Sequence, residues 1–257
     1  MKRTAAIFFF LLCAAHAQAR TLYVSLTGSH DTNTPAFSTW ATAATNIQAA
    51  IDAASGGDTV RVAPGTYVGS TAADQGTAVV FVTNEVHLVA GNGTLWDAER
   101  TIIDAQFVGS RACIAFGKAT NASIRGFTLT RGNQYGGAIR AAILGAYGVS
   151  PGVVIDSCIV RGNIPPGPIV HLPGIGSSIK NSIIVGNQPS QNNAAIYGNY
   201  APSYVENCIV EANWFGQIKL ANVQNTIHGN TIGAITSLGG NITNNTTNSV
   251  CRLLDIA

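Results

Sequence analysis

Short aliphatic runs recur along the chain inside polar text. "SIKNSIIVGN" (178–187) returns as "VIDSCIVRGN" (154–163), "YVENCIVEAN" (204–213), "SIRGFTLTRGN" (123–133) and, with more changes, "NVQNTIHGN" (222–230). Aligned on the leading aliphatics Ile124, Ile155, Ile179, Val205 and Val223, the copies lie 31, 24, 26 and 18 residues apart. A period in the twenties with variable insertions marks a stacked repeat, because no single copy can bury its own apolar face. The β-branched content and the scarcity of helix-forming runs predict that each copy is made of strands.

A second column of aliphatics lies between the copies: "AIR" (138–140), "PIV" (168–170), "AIY" (195–197), "QIK" (217–219) and "AIT" (234–236), centred on Ile139, Ile169, Ile196, Ile218 and Ile235. Each repeat therefore carries a first strand around "AIR", a second around "SIK" and a third around "SIIVGN". Three short strands per coil, stacked coil on coil at about 4.8 Å, make a parallel β-helix, a solenoid whose core is filled by the isoleucine columns. Asn133, Asn163, Asn187 and Asn213 are expected to close the third strand at matching places, and Asn181 and Asn207 to sit at the bend before it. Asparagine tolerates such bends, and stacked amides form hydrogen-bonded ladders.

The same alternation places Cys158, Ser182 and Cys208 in one inward column. Cys158 and Cys208 are then two coils apart, roughly 9.6 Å, too far for a disulfide, which needs Cα atoms within about 7 Å. Both are expected as small buried core residues, while Cys113 and Cys251 stay undecided.

Upstream, "NIQAAIDAA" (46–54) puts Ile47, Ala50, Ile51 and Ala54 on one helical face, with Gly56 and Gly57 stopping the helix. An amphipathic helix just before the first coil is placed to cap the open end of the stack. Further coils are expected near residues 58–68, 78–82, 85–91, 101–104 and 112–116. The chain thus divides into a leader (1–19), an N-terminal strand and capping helix (20–57), the β-helix (58–245) and an irregular tail (246–257). That tail shows no evident cap, so a partner or self-association is expected at the last coil.

The leader has a basic start, Lys2-Arg3, then an apolar run from Ala5 to Ala15. Small residues suited to cleavage follow at Ala15/Ala17 and at Ala17/Ala19. This is an export signal and not a membrane span, which needs roughly 20 apolar residues. Leu12 before Cys13 argues against a lipid anchor. Of the 14 Lys and Arg, two fall in the leader, leaving 12 against 12 Asp and Glu. A near-neutral chain without a basic patch is not built for nucleic acid.

"TLYVSLTGSHD" (21–31), "NIQAAIDAASGGDTVRVAPGTY" (46–67) and the recurring "NxIIxGN" text resemble secreted bacterial right-handed parallel β-helix proteins of the pectin-lyase-like superfamily. The resemblance spans most of residues 21–245. It implies export to the periplasm, cell surface or medium. It also implies a protein that is either a polysaccharide-degrading enzyme or a surface protein without a reaction, and it directs attention to the sheet of first strands, where related enzymes bind their substrates.

On that sheet the outward residues run Arg140, His171 (or Val170), Tyr197 and Lys219. Cations and aromatic rings suit an acidic glycan, through ion pairs to carboxylates and stacking on sugar faces. Tyr135, Tyr147, Tyr197 and Tyr200 lie in the long insertions beside it (134–150 and 188–203), with Tyr204 just beyond, and are the candidate substrate-binding residues. In a lyase, Lys219 or His171 would take the proton beside a carboxylate and Arg140 would stabilise the resulting enolate.

The second-strand column Arg125, Asp156, Lys180, Glu206 and Gln224 alternates in sign, as an ion-pair ladder requires. Asp156 and Glu206 flank Lys180, which stands where sugar and water would go between glycosidase carboxylates. Acids are too sparse after residue 105 for a calcium site, no cysteine or histidine cluster has metal spacing, and no cofactor is expected. Two functions remain open: a secreted or surface-associated protein without catalysis that binds carbohydrate, and a polysaccharide lyase acting on a uronate-containing glycan.

Overall fold

The computed structural model describes residues 18–33, 35–69, 78–117, 119–134, 137–140, 151–172, 174–190, 194–198, 202–214, 217–220, 222–224, 227–229, 235–237, 242–243 and 246–247. Nearly all regular structure among them is β, and every strand pairing is parallel. The strands fall into three sheets, and within each sheet neighbouring strands come from successive repeats.

Sheet 1 contains Ala78–Val82, Ala112–Phe116, Ile139–Arg140, Val170–Leu172, Ala194–Gly198, Gln217–Leu220 and Ile235–Ser237. Sheet 2 begins with Thr21–Val24, Thr59–Val62 and His87–Ala90 and continues through Ser123–Arg125, Val154–Asp156, Ser178–Lys180, Tyr204–Glu206, Asn222–Gln224 and Ile242–Thr243. Sheet 3 runs from Gly65–Val68 and Thr101–Asp104 through Thr128–Thr130, Ile159–Arg161, Ile183–Val185 and Ile209–Glu211 to Ile227–Gly229 and Thr246–Thr247. This order is compatible with a parallel β-helix.

The leading aliphatics pair as the repeated text requires: Ile124 with Ile155, Ile155 with Ile179, Ile179 with Val205 and Val205 with Val223. Ile124, Ile155, Ile179 and Val205 are fully buried. They join the inward residues of the other two sheets, such as Ile139 and Val160, in one continuous apolar cluster. One column differs from expectation. Ile139 pairs with Val170, and Val170 with Ile196, so Val170 and not Ile169 is in register with this column, although both are buried in the core.

Two columns of left-handed backbone mark the bends around sheet 3. Gly126, Ser157, Asn181 and Asn207 have φ of 76°, 52°, 49° and 52° before its strands, and Arg131, Gly162, Gly186 and Ala212 have 58°, 63°, 63° and 50° after them. A sharp reversal at every repeat demands this conformation, which glycine and asparagine adopt most readily.

The expected asparagine ladder is present but shorter by one member. Asn163, Asn187 and Asn213 are fully buried. Asn163 Nδ2 donates to Asn187 Oδ1 at 2.9 Å, and Asn187 Nδ2 donates to Asn213 Oδ1 at 2.8 Å. The backbone N–H of Asn163 and of Asn187 reaches the same acceptors at 3.0 and 3.1 Å. Asn133 is not in this column. Thr130 pairs with Arg161, which puts Gly132 beside Asn163, and the Gly132 N–H ends the ladder on Asn163 Oδ1 at 2.8 Å. A Cβ at Gly132 would meet the Gly137 carbonyl oxygen at 1.7 Å, so no side chain fits there. Asn133 instead accepts from the Arg111 N–H at 2.9 Å and donates to Phe107 and Gly109 carbonyls.

Cys158, Ser182 and Cys208 are buried in one column, and Ser182 Oγ accepts from the Cys158 N–H at 3.1 Å. Cys113, Cys158 and Cys208 are free thiols. Burial pushes Cys158 and Cys208 up to about 12 and raises Cys113 as well, so all three stay protonated and inert. Cys251 lies outside the described residues.

Helix α1 spans Ile47–Ala53, capped by Asn46, whose side chain accepts from the Ala49 N–H at 2.8 Å. Its Ile47, Ala50 and Ile51 are buried, and it lies against Thr21–Val24, Thr59–Val62 and Ala78–Val82. Ala78–Val82 is the outermost strand of sheet 1. There Gln48 Oε1 accepts from the Phe81 N–H at 2.7 Å and Gln48 Nε2 donates to the Phe81 carbonyl at 3.1 Å. One amide side chain thus stands in for a missing neighbouring strand, which blunts the edge. A second short helix, α2 (Leu95–Ala98), was not expected, although its capping box of Thr94 and Asp97 is written in the sequence.

Candidate functional site

Sheet 1 positions the candidate residues. Ile139, Val170, Ile196 and Ile218 are buried and pair across consecutive strands. The next residue in each strand therefore forms a parallel column of Arg140, His171, Tyr197 and Lys219. His171 pairs with Tyr197 and Tyr197 with Lys219, while Arg140 pairs with Ala115 on its other side. Four candidates that are 79 residues apart from first to last are so brought to steps of about 4.8 Å. For Arg140 and Lys219 the backbone alone is described.

The two central rings touch. The centroids of His171 and Tyr197 are 5.3 Å apart with planes inclined by 35°. Tyr197 is half-buried, but His171 is only 7 % exposed. The column is therefore not an open row of polar groups, as its alternation implied: the imidazole lies beneath the surface. Burial lowers the His171 pKa to about 4, so the ring is neutral over the whole physiological range. A base works best with a pKa near the operating pH, and His171 is far from it. Its geometry suits support of Tyr197 better than proton abstraction.

An NMR titration of the histidine rings is expected to find one, His171, with a midpoint near 4. The unfolded chain takes up this proton near 6.5 and the fold only near 4, so acidification through that window removes stability. A His171→Phe variant should lose that part of the acid sensitivity.

The other candidates are placed as follows. Tyr135, Tyr147 and Tyr200 lie outside the described residues. Tyr204 begins a strand of sheet 2 and sits half-buried between Ser178 and Asn222, away from the sheet 1 column.

The charged column of sheet 2 has the expected register, with Asp156 between Arg125 and Lys180 and Lys180 beside Glu206. Its ion pairing is only partial. Arg125 Nε lies 3.3 Å from Asp156, whose Oδ1 also accepts from Asn181 Nδ2 at 2.9 Å and Ser157 Oγ at 3.1 Å. Asp156 is buried under these donors, so it is held as a structural anion and not free to act on a sugar. Among the described residues no group of three His, Cys, Asp or Glu side chains converges as a metal would need.

A second cluster escaped the sequence reading. Tyr23 and Trp40 have ring centroids 4.6 Å apart, Trp40 is 46 % exposed, and Arg61 pairs with Tyr23 on the next strand. The signal was available: "TLYV" (21–24) and "TVRV" (59–62) share one alternation, which sets Tyr23 and Arg61 side by side on the outer face. The contact with Trp40 comes from a loop and could not be aligned.

A scan of protein-family models matches none to this chain, and searches of curated proteins and of solved structures return no match.

Proposed function

We propose that the chain is an exported or surface-associated right-handed parallel β-helix protein of the pectin-lyase-like kind that binds an acidic polysaccharide along sheet 1 without cleaving it. The observation that carries this reading is the His171–Tyr197 ring pair, set in register between Arg140 and Lys219. An aromatic ring backed by a second ring is a rigid platform for a sugar face. Cations one step to either side suit the carboxylates of a uronate chain. A neutral, buried imidazole at the centre supports binding over proton transfer.

The test is affinity electrophoresis and calorimetry with polygalacturonate, alginate and a glycosaminoglycan, with a neutral galactan as control. Tyr197→Ala is expected to weaken binding to the acidic polymer about tenfold, the range of one well-placed aromatic contact. Lys219→Ala should weaken it in a salt-dependent way. No binding to any acidic polymer would reject the proposal. A rise in ultraviolet absorbance from unsaturated uronate products, abolished by Lys219→Ala, would replace it with a lyase in which Lys219 is the base and Arg140 the stabilising cation.

A further inference from the structure

Asp58 is 2 % exposed, and most of the hydrogen bonds to its carboxylate come from Arg20, the residue just before the first strand. Oδ1 accepts from the backbone nitrogen of Arg20 at 2.7 Å. Oδ2 accepts from Arg20 Nε at 3.2 Å, from Arg20 Nη2 at 3.0 Å and from the Ser55 N–H at 2.9 Å. Arg20 Nη2 also donates to the Ala53 carbonyl at the end of α1, at 3.1 Å. The Arg20 carbonyl accepts from the Thr59 N–H at 2.8 Å, the rung that leads into the first ladder of sheet 2. Gln18, Ala19 and Arg20 are all exposed and precede the first strand, which begins at Thr21.

The leader offers cleavage after Ala17 or after Ala19, and these two ends differ at one atom. Cleavage after Ala17 leaves the Arg20 nitrogen as a neutral amide with a single hydrogen. Cleavage after Ala19 turns that nitrogen, already in contact with a buried carboxylate, into an ammonium with three hydrogens and a full charge. No movement is needed to form the pair, and a charge-assisted hydrogen bond is roughly twice as strong as a neutral one.

We propose that the export leader is removed between Ala19 and Arg20, and that the α-ammonium group this releases docks on Asp58 and ties processing of the leader to stability of the N-terminal end of the fold. It rests on the export reading above. The step is a hydrolysis: water adds across the Ala19–Arg20 peptide bond, Ala19 keeps the carboxylate, and Arg20 takes the amine. The host's leader peptidase supplies the catalysis.

Burial by itself would raise the Asp58 carboxyl, but the hydrogen bonds from Arg20 and Ser55 and the Arg20 guanidinium hold it below the ordinary range. Asp58 is therefore ionised wherever the α-amino group titrates. An ammonium paired with it has a folded pKa above the ordinary value of about 7.7–8.0. The stability from the pair is complete below that value and is lost as pH rises through the folded one. The other titratable groups on the surrounding elements are Asp52 of α1, Glu85 and His87.

The experiment expresses the full chain in a bacterium with an export pathway, purifies the exported product, reads its first residue by mass spectrometry, and follows its α-amino titration by NMR. The expected result is a chain beginning at Arg20 whose α-amino midpoint lies about one unit or more above the ordinary value. In Asp58→Asn the midpoint should return to the ordinary value. If that variant does not fold, the midpoint of the unsubstituted protein decides. A chain that begins at Gln18 overturns the inference and leaves export standing. A chain that begins at Arg20 with an ordinary midpoint overturns the pairing. A chain that is neither exported nor processed overturns the export reading and this inference together.

Discussion

Replacing Asn187 with Ala is expected to destabilise the protein by about 3–5 kcal/mol, read as a lower urea midpoint. Asn187 is the middle member of a fully buried amide column. Its Oδ1 accepts from the backbone N–H and the Nδ2 of Asn163, and its Nδ2 donates to Asn213 Oδ1 and to the Val160 and Val185 carbonyls. The truncation leaves the Asn163 N–H buried without an acceptor, and each orphaned group costs about 1–3 kcal/mol. It also opens a void and breaks the ladder into unconnected halves.

Asn187→Asp makes a sharper test of the same contact. The new carboxylate would face Asn213 Oδ1 and the Val185 carbonyl, both acceptors, in a dry site. Its folded pKa must rise, so this variant should regain stability as pH falls, which the Ala variant should not. Asn133→Ala, outside the column, should cost no more than about 1 kcal/mol. Equal losses at Asn133 and Asn187 would show that the column carries no special weight.

Ile179→Ala is expected to cost about 2–5 kcal/mol. Ile179 is fully buried, with Ile155 in register on one side and Val205 on the other. Removing its outer carbons leaves a cavity that two neighbouring strands, each pinned by parallel ladders on both sides, cannot close. Lys180, the next residue, points to the other face, and Lys180→Ala should change stability by no more than about 0.5 kcal/mol. The reverse ranking in thermal or urea unfolding would mean that the two faces of sheet 2 have been exchanged. That error would invalidate every column described above, because a one-residue slip moves each side chain to the opposite face.

The repeated text reaches its limit at particular residues. The five leading aliphatics were legible because alternation and recurrence agree at each of them. Asn133 falls outside the ladder although it matches the recurring Gly-Asn letters. The segment 123–133 carries an extra residue, and Arg131 takes the left-handed bend, φ 58°, that glycine takes in the next two repeats. Arginine there gives no sign of its conformation. Asp156 keeps the Arg125 partner that the alternating ladder requires, while Ser157 and Asn181 take up its other oxygen, because room beside a strand is as important as distance along the column.

The candidate site divides in the same way. That Arg140, Tyr197 and Lys219 share a column was readable from the spacing of their inward neighbours, whereas the run Ile169-Val170-His171 left Val170 and His171 open until the strand register chose His171. That His171 is buried and neutral was not readable, since alternation says which face a side chain takes and nothing about what covers that face.

By itself, then, the sequence determined strands, their parallel order and the inward columns, because these depend on a short-range period repeated many times. Only the tertiary structure decided which residues end a ladder, which ions meet, which ring is hidden and which nitrogen rests on Asp58. Those outcomes depend on segments distant in sequence competing for the same few ångströms, and no local pattern records that competition.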